Sequence, residues 1–443
     1  MRVKLSMTRA RWIGLLWLLL SSGIFILWGS ALERTSPGGM ADFKAVYYGT
    51  RCLIQHSDPY NANEFMRLYR AEGGEFPSDP VMSHLFSRAV FVCINLPSSL
   101  FLIAPLALLA WGPAHVLWMI LVACGLILAA FLMGNLAESY SSGVALFLIC
   151  IVLANSEILF SCGNTAGLAV SLCLVAVWCF LKERFVLAGV LCLAVSLAIK
   201  PHDAGLIWLF FLLAGGTYRK RALQTLLVTA VLCVPAFLWV THIAPHWMPE
   251  VHANLLTTAA RGSLNDPGPQ SIAFRNPDMI IDLQSVLSIF RDDPRIYNPA
   301  SYLICGVLIL IWIARTFRSR LTLDSSYFAL AAIAALCLLP IYHRQYDAKI
   351  LLLTAPACAM LWARGGPIRW IALLLNTAAV VVTGDIPSAI LIIFANKLHV
   401  DTAGVLGKIL TIVLMRPVPL ILLALGVFYL WVYVRRSAPD TVA

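Results

Sequence analysis

Long apolar runs separated by short polar breaks set the pattern of this chain. The first run, 12–29, spans 18 residues, roughly 27 Å as a helix and about enough to cross hydrocarbon. We read it as a retained first span, although Ser30, Ala31 and Leu32 leave cleavage open. A polar, aromatic-rich stretch follows over 33–97. Apolar runs then cover 98–111, 114–133, 141–157, 164–181, 186–199, 203–216 and 222–242. A second polar stretch, 243–299, precedes runs at 301–315, 325–341, 348–363, 367–383 and 417–434, with 386–415 either two short crossings or a re-entrant pair. Runs of this length and frequency predict an all-α polytopic membrane protein with about 11 to 13 transmembrane helices. It forms one integral membrane domain, 1–443: first span 12–29, first outer loop 33–97, N-terminal helical module 98–242, second outer loop 243–299 and C-terminal helical module 300–436.

The two polar stretches carry local helical signals of their own. Residues 43–55 read as an aromatic helix, 57–60 as a turn and 64–71 as a short helix. In 276–290, Met279, Ile280, Leu283, Val286, Leu287 and Phe290 recur at helical spacing, which predicts a helix lying along the membrane interface.

Composition agrees with lipid as the main solvent: 60% of residues are hydrophobic, 12% are charged and mean hydropathy is +0.84. The net charge of +10 might suggest nucleic acid as a partner, but half of the 32 Lys and Arg residues fall in six short patches at the ends of apolar runs. Such patches mark cytoplasmic ends, so the charge describes topology and no nucleic-acid partner is expected. All six patches fall inside if 98–111, which ends at Trp111-Gly112-Pro113, dips into the outer leaflet and returns. Residues 33–97, 155–164 and 200–203 then face outward, as does 243–299. Thirteen of the 22 acids lie in the two long outer loops. Of the 12 cysteines, only Cys52 and Cys93 share an outer segment, where a disulfide is an open possibility. The chain lacks an Asn-x-Ser/Thr sequon, which favours a bacterial inner membrane.

Asp42 is the leading chemical candidate, a carboxylate just outside the first span and next to Phe43, Tyr47 and Tyr48. Partial desolvation by aromatics makes a carboxylate a better general base. The plainer alternative is that Asp42 caps a helix starting at Phe43. Lys200 interrupts an apolar run before Pro201, with His202 beside it, and is either a phosphate contact or a lysine snorkelling to headgroups. His343 and Arg344 follow an apolar run and can orient an anionic substrate, or simply belong to an interfacial loop between the belt aromatics Tyr342 and Tyr346. Glu157 is an acid near the outer end of its run and therefore a functional suspect. His242 and His246 have the spacing of a helical metal pair, but Pro245 interrupts them and no third ligand is evident. No cofactor is expected, and the need for a divalent metal stays open.

Several ordered anchors resemble glycosyltransferase family 87 of the GT-C superfamily. They are Asp42-Phe43, Tyr47-Tyr48, Arg51 and Asp58-Pro59-Tyr60; then Asn95-Leu96-Pro97 with Ala104-Pro105-Leu106, in which Leu96 departs from the doubled proline; then Gly163-Asn164, Ala188-Gly189 through Lys200-Pro201, and Ile341-Tyr342-His343. The resemblance implies a GT-C-type helical bundle with two sizeable outer-face loops. It further implies inverting transfer of a sugar, mannose first among candidates, from a polyprenyl-phosphate donor to a lipid-linked or envelope glycan, with Asp42 as base. Lys200, His202, His343, Arg344, Tyr47, Tyr48, Arg51, Asn164 and Glu157 are then the candidate donor-phosphate or substrate contacts, on the periplasmic or outer face. A transporter or flippase for lipid-linked saccharides is the rival, and would be expected to carry midplane charges and repeated halves.

Overall fold

In lipid every backbone N–H and C=O must be paired within the protein, so apolar runs fold as helices. The computed structural model is described over residues 2–36, 38–272, 280–319, 322–398 and 404–436, with side chains from Trp12 to Arg435. Among these residues it is helical throughout, with no strand beyond one antiparallel bridge between Ile280 and Arg344. Six helices are long and apolar enough to cross a membrane: Trp12–Thr35, Trp111–Ala137, Ser142–Ser161, Gly216–Ile243, Pro294–Arg318 and Val418–Arg435. A seventh candidate is the pair Ile368–Val382 and Asp385–Lys397, bent by 72°. On Gly216–Ile243, Leu223, Leu227, Val231 and Leu238 point outward, a surface suited to acyl chains and costly in water. The chain is an all-α polytopic membrane protein.

Shorter apolar helices position the chemistry. Pro97–Ala107 has 11 residues, about 16 Å of helix against roughly 30 Å of hydrocarbon, so it does not cross by itself. Its first turn holds the break before Lys200: the Ser98 and Ser99 hydroxyls donate to the carbonyls of Ala198 (2.6 Å) and Ile199 (2.7 Å). These carbonyls end the helix Val186–Ile199 and have no partner within it. Pro201 then starts Pro201–Leu213 at a position where its missing N–H is no loss.

The first polar stretch, 33–97, folds into Ala41–Ile54, Ala62–Ala71 and Pro80–Phe91. The last of these was not anticipated, although Asp79 as cap and Pro80 at the first helical position are its signals. Tyr48, Tyr69, Phe76, Phe86 and Phe91 form one edge-packed aromatic cluster between these helices. Cys52 and Cys93 are buried neighbours with free thiols, so the possible disulfide is not formed. The second outer segment contributes Trp247–Ala259, whose Asn254 amide donates to the carbonyls of Tyr60 (3.1 Å) and Cys93 (3.0 Å) and so joins the two loops.

Two expected elements change. Of the interfacial helix 276–290, residues 276–279 lie outside the described residues and the rest is a short helix, Gln284–Phe290. Its Val286 and Ile289 pack on Ile412, so protein rather than the membrane interface covers that apolar face. The run 348–363 divides into a buried 3-10 turn, Asp347–Leu353, and the helix Thr354–Arg364. The tighter turn carries Asp347 and Lys349 into the core.

Candidate functional site

Asp42 does not cap its helix. The helix begins two residues earlier than a cap at Asp42 requires, with left-handed Met40 before it and no side-chain cap at that position. The orphan N–H groups of Met40 and Asp42 instead donate to the carbonyls of Ser161 (2.7 Å) and Cys162 (2.9 Å). Asn164 Nδ2 donates to the Asp42 carboxylate, at 2.7 Å from its Oδ2. The orientation of Asn164 is fixed because its Oδ1 accepts from the Ala166 N–H at 2.8 Å, leaving only the NH2 side for the acid. Gly163 makes the approach possible. It has φ +67°, and a Cβ there would lie 2.8 Å from Cβ of Phe43.

Tyr346 lies beside the Lys200 break and feels the charge of this carboxylate. Its phenol is held well above its ordinary pKa, first by burial, then by the neighbouring Tyr342 and by the charge of Asp42. The Lys200 ammonium lies 4.8 Å from the centre of the same ring. Lys200 is itself ion-paired with Asp347 and stands 3.5 Å from Asp203 Oδ2. Both carboxylates are buried. Asp203 in turn has His343 Nε2 at 3.5 Å and His202 Nε2 at 3.7 Å from its Oδ1. Tyr346, Lys200, Asp347, Asp203, His202 and His343 therefore form one connected set of side chains, and Asp42 with Asn164 forms a pair whose charge is felt at Tyr346.

The second outer loop holds the late part of this set in place. The N–H of Ile281 donates to the His343 carbonyl and that of Leu283 to the Leu339 carbonyl, both at 2.9 Å. The Arg344 guanidinium reaches Tyr342 and the Leu264 carbonyl (2.9 Å), while its backbone N–H donates to Asp347 Oδ2 at 2.8 Å. Burial pushes the nearby Asp282 carboxyl up to about 7, against the opposing pull of the Ser285 N–H and of Arg416.

Other candidates lie apart from Asp42. Arg51 comes nine residues later on the same helix, two and a half turns and so on the opposite side. Its Nε donates to Glu72 at 2.9 Å. Tyr47 donates to the Leu109 carbonyl at 2.7 Å, and Tyr48 stacks on Trp111. A cleft of about 410 Å³, lined by Glu33, Lys44, Glu75 and His115, also lies along this helix away from the acid. Glu157 is fully buried beside Asp385 and Lys349; Lys349 donates to the Asn155 carbonyl at 2.7 Å and lies 3.5 Å from Asp385. Two residues along the 3-10 turn, Asp347 serves the Lys200 set instead. His242 and His246 are both exposed, on either side of a helix end at Ile243, and share no third ligand among the described residues.

Residue reasoning gave no role to Asp203, Asp347, Lys349 or Asp385 and treated Tyr346 as a belt aromatic. Asp203 did carry a signal: an acid three positions beyond Lys200 and at the head of an apolar run pairs with it on one helix face.

A polytopic helical membrane protein whose acids and bases converge at helix breaks fits the architecture of a membrane-embedded transferase. The profile of glycosyltransferase family 87 matches residues 94–340, more than half of the chain, and the protein belongs to that family of glycosyltransferases. Glu157, Asn164, Lys200 and His202 fall within the match; Asp42, Tyr47, Tyr48 and Arg51 precede it, and His343 and Arg344 follow it. No curated protein and no solved structure matches the chain significantly.

Proposed function

We propose that this glycosyltransferase moves a sugar from a polyprenyl-phosphate donor to a lipid-linked or cell-envelope glycan, on the outer face of a bacterial inner membrane and with inversion at the anomeric carbon. The observation that carries the reading is a carboxylate at Asp42 that accepts from the Asn164 amide and whose charge is felt at Tyr346, the ring that the Lys200 ammonium faces. In this reaction the acceptor hydroxyl oxygen attacks C1 as Asp42 takes its proton. The bond from C1 to the phosphate oxygen breaks, and polyprenyl phosphate leaves with that electron pair. Negative charge grows on the leaving phosphate, so Lys200 and Arg344 are the cations assigned to it. A lipid-borne donor suits a chain in which Walker-type and Rossmann fingerprints are absent from the sequence. Mannose is the first sugar to test.

The test is transfer of radiolabelled sugar from synthetic polyprenyl-phosphate donors to membrane lipid extracts, at matched expression. Asp42→Asn preserves size and should lower the rate by about 10²- to 10⁴-fold. Equal transfer by both proteins rejects Asp42 as the base. Failure with every donor, together with saccharide flux in liposomes, replaces this reading with the transporter.

A further inference from the structure

His202 and Asp203 sit in the first turn of Pro201–Leu213, and His343 arrives from the segment before the 3-10 turn. Their ligand atoms all lie within 4.8 Å of one another. Asp203 Oδ1 and His343 Nε2 are buried without a hydrogen-bond partner, while Asp203 Oδ2 has the Lys200 ammonium at 3.5 Å. Buried acceptors of this kind are strongly disfavoured unless something positive joins them.

A proton is the simplest candidate, and the geometry fits it poorly. His343 Nδ1 lies 2.9 Å from the Ile341 carbonyl, which can only accept, so Nδ1 carries the hydrogen. In the neutral ring Nε2 then presents a lone pair to Asp203. If a second proton sat on Nε2, a charge-assisted N–H···O bond would draw the atoms to about 2.7–2.9 Å. The observed separation is 3.5 Å, and the His202 Nε2 separation is 3.7 Å. Two ligands on a tetrahedral ion with bonds of about 2.0–2.1 Å are about 3.4 Å apart. The histidine that fixes its tautomer by donating to a backbone carbonyl is also the usual arrangement of an imidazole ligand.

We propose that His202, Asp203 and His343 bind a divalent transition ion of the zinc class. Two imidazoles and one carboxylate favour such an ion over magnesium or calcium, which prefer all-oxygen sets. The His202 side chain is 32% exposed whereas the other two are buried, so the ion enters from its side, and the fourth position opens there. Lys200 faces the other oxygen of Asp203 at 3.5 Å and is neutralised by Asp347, so it leaves Oδ1 to the ion. Without an ion, Lys200, Asp203 and Asp347 sum to one negative charge. A divalent ion reverses that to one positive charge, which is what a phosphate requires. This last consequence rests on the lipid-phosphate donor reading; the metal site itself does not.

The test uses the full chain, purified in detergent with an affinity tag free of histidine, stripped with chelator and titrated with Zn²⁺ and with Co²⁺. Metal content is read by mass spectrometry and coordination by the visible ligand-field absorption of Co²⁺. The expected result is about one ion per chain with a tetrahedral Co²⁺ spectrum. His202→Gln alters the half-exposed ligand and should weaken Co²⁺ binding about tenfold or more. Asp203→Asn should abolish the tetrahedral spectrum. Monodisperse wild type that takes up neither ion, or His202→Gln binding as tightly as wild type, overturns the proposal. The second outcome would assign any ion to surface histidines such as His242 and His246. Because no sugar donor is present, a bound ion with no transfer activity upholds the site while removing the donor reading. Transfer by ion-free protein with no binding does the reverse.

Discussion

At the scale of single residues, chemistry follows from who satisfies whom. At Asp42 the carbonyls of 161 and 162 receive the first N–H groups of the helix, and the carboxylate accepts from Asn164. Asn164 is a positioning residue whose two ends are each committed, one to Ala166 and one to Asp42. Asn164→Ala should therefore lower kcat more than it raises KM, measured by steady-state transfer at varied acceptor; an unchanged kcat would separate Asn164 from the reacting acid. Gly163→Ala joins a disfavoured φ with a 2.8 Å clash against Phe43. It should destabilise the protein by about 1–3 kcal/mol, seen as a lower melting temperature in detergent.

Between elements, the junction of the two outer loops is sensitive to pH. Glu250, on Trp247–Ala259, meets the Asp58 turn and Glu64, and burial, then the neighbouring acids, push its carboxyl up to about 7. The folded state thus holds this proton more tightly than the unfolded chain does. Stability from the contact is complete below about 4.5 and is lost as pH rises through about 7. Protease sensitivity of the outer loops should increase from pH 5 to pH 8, and Glu250→Gln should flatten that rise. A slope identical in the variant would place the pH response elsewhere. The same packing explains Gln284–Phe290: its apolar spacing was legible, but the cover proved to be Ile412, more than a hundred residues away.

For the whole molecule, the 3-10 turn Asp347–Leu353 is the hub, since Asp347 reaches Lys200 and Lys349 reaches Asp385. Lys349→Met would leave Glu157 and Asp385 buried without a counter-ion. Breaking one side of such a buried pair costs about 3–5 kcal/mol, so the monodisperse fraction after detergent extraction should fall sharply. Replacement of Glu157 and Asp385 by Gln and Asn in the same chain should restore it. The orientation of the bundle is testable as well. Asn63→Cys, exposed at the start of Ala62–Ala71, should react with an impermeant maleimide from outside intact cells; labelling only after lysis would place the Asp42 face on the cytoplasmic side.

Hydrophobic periodicity by itself determined the membrane class, the helices and the two polar loops, because in lipid a long apolar run has no other stable backbone solution. Local chemistry also marked Asp42, Lys200 and His343, each at a helix end or break where a polar group is conspicuous among apolar neighbours, whereas Asn164 was marked only by the family resemblance. Which of these groups meet was decided only by tertiary structure. Asp42 and Lys200 are 158 positions apart, and Tyr346, whose ring the Lys200 ammonium faces, looks in sequence like any interfacial tyrosine. Asp347 and Lys349 likewise became visible only when a run expected to be one straight span broke into a buried 3-10 turn, since the cost of burying charge is a property of the surroundings and not of the residue.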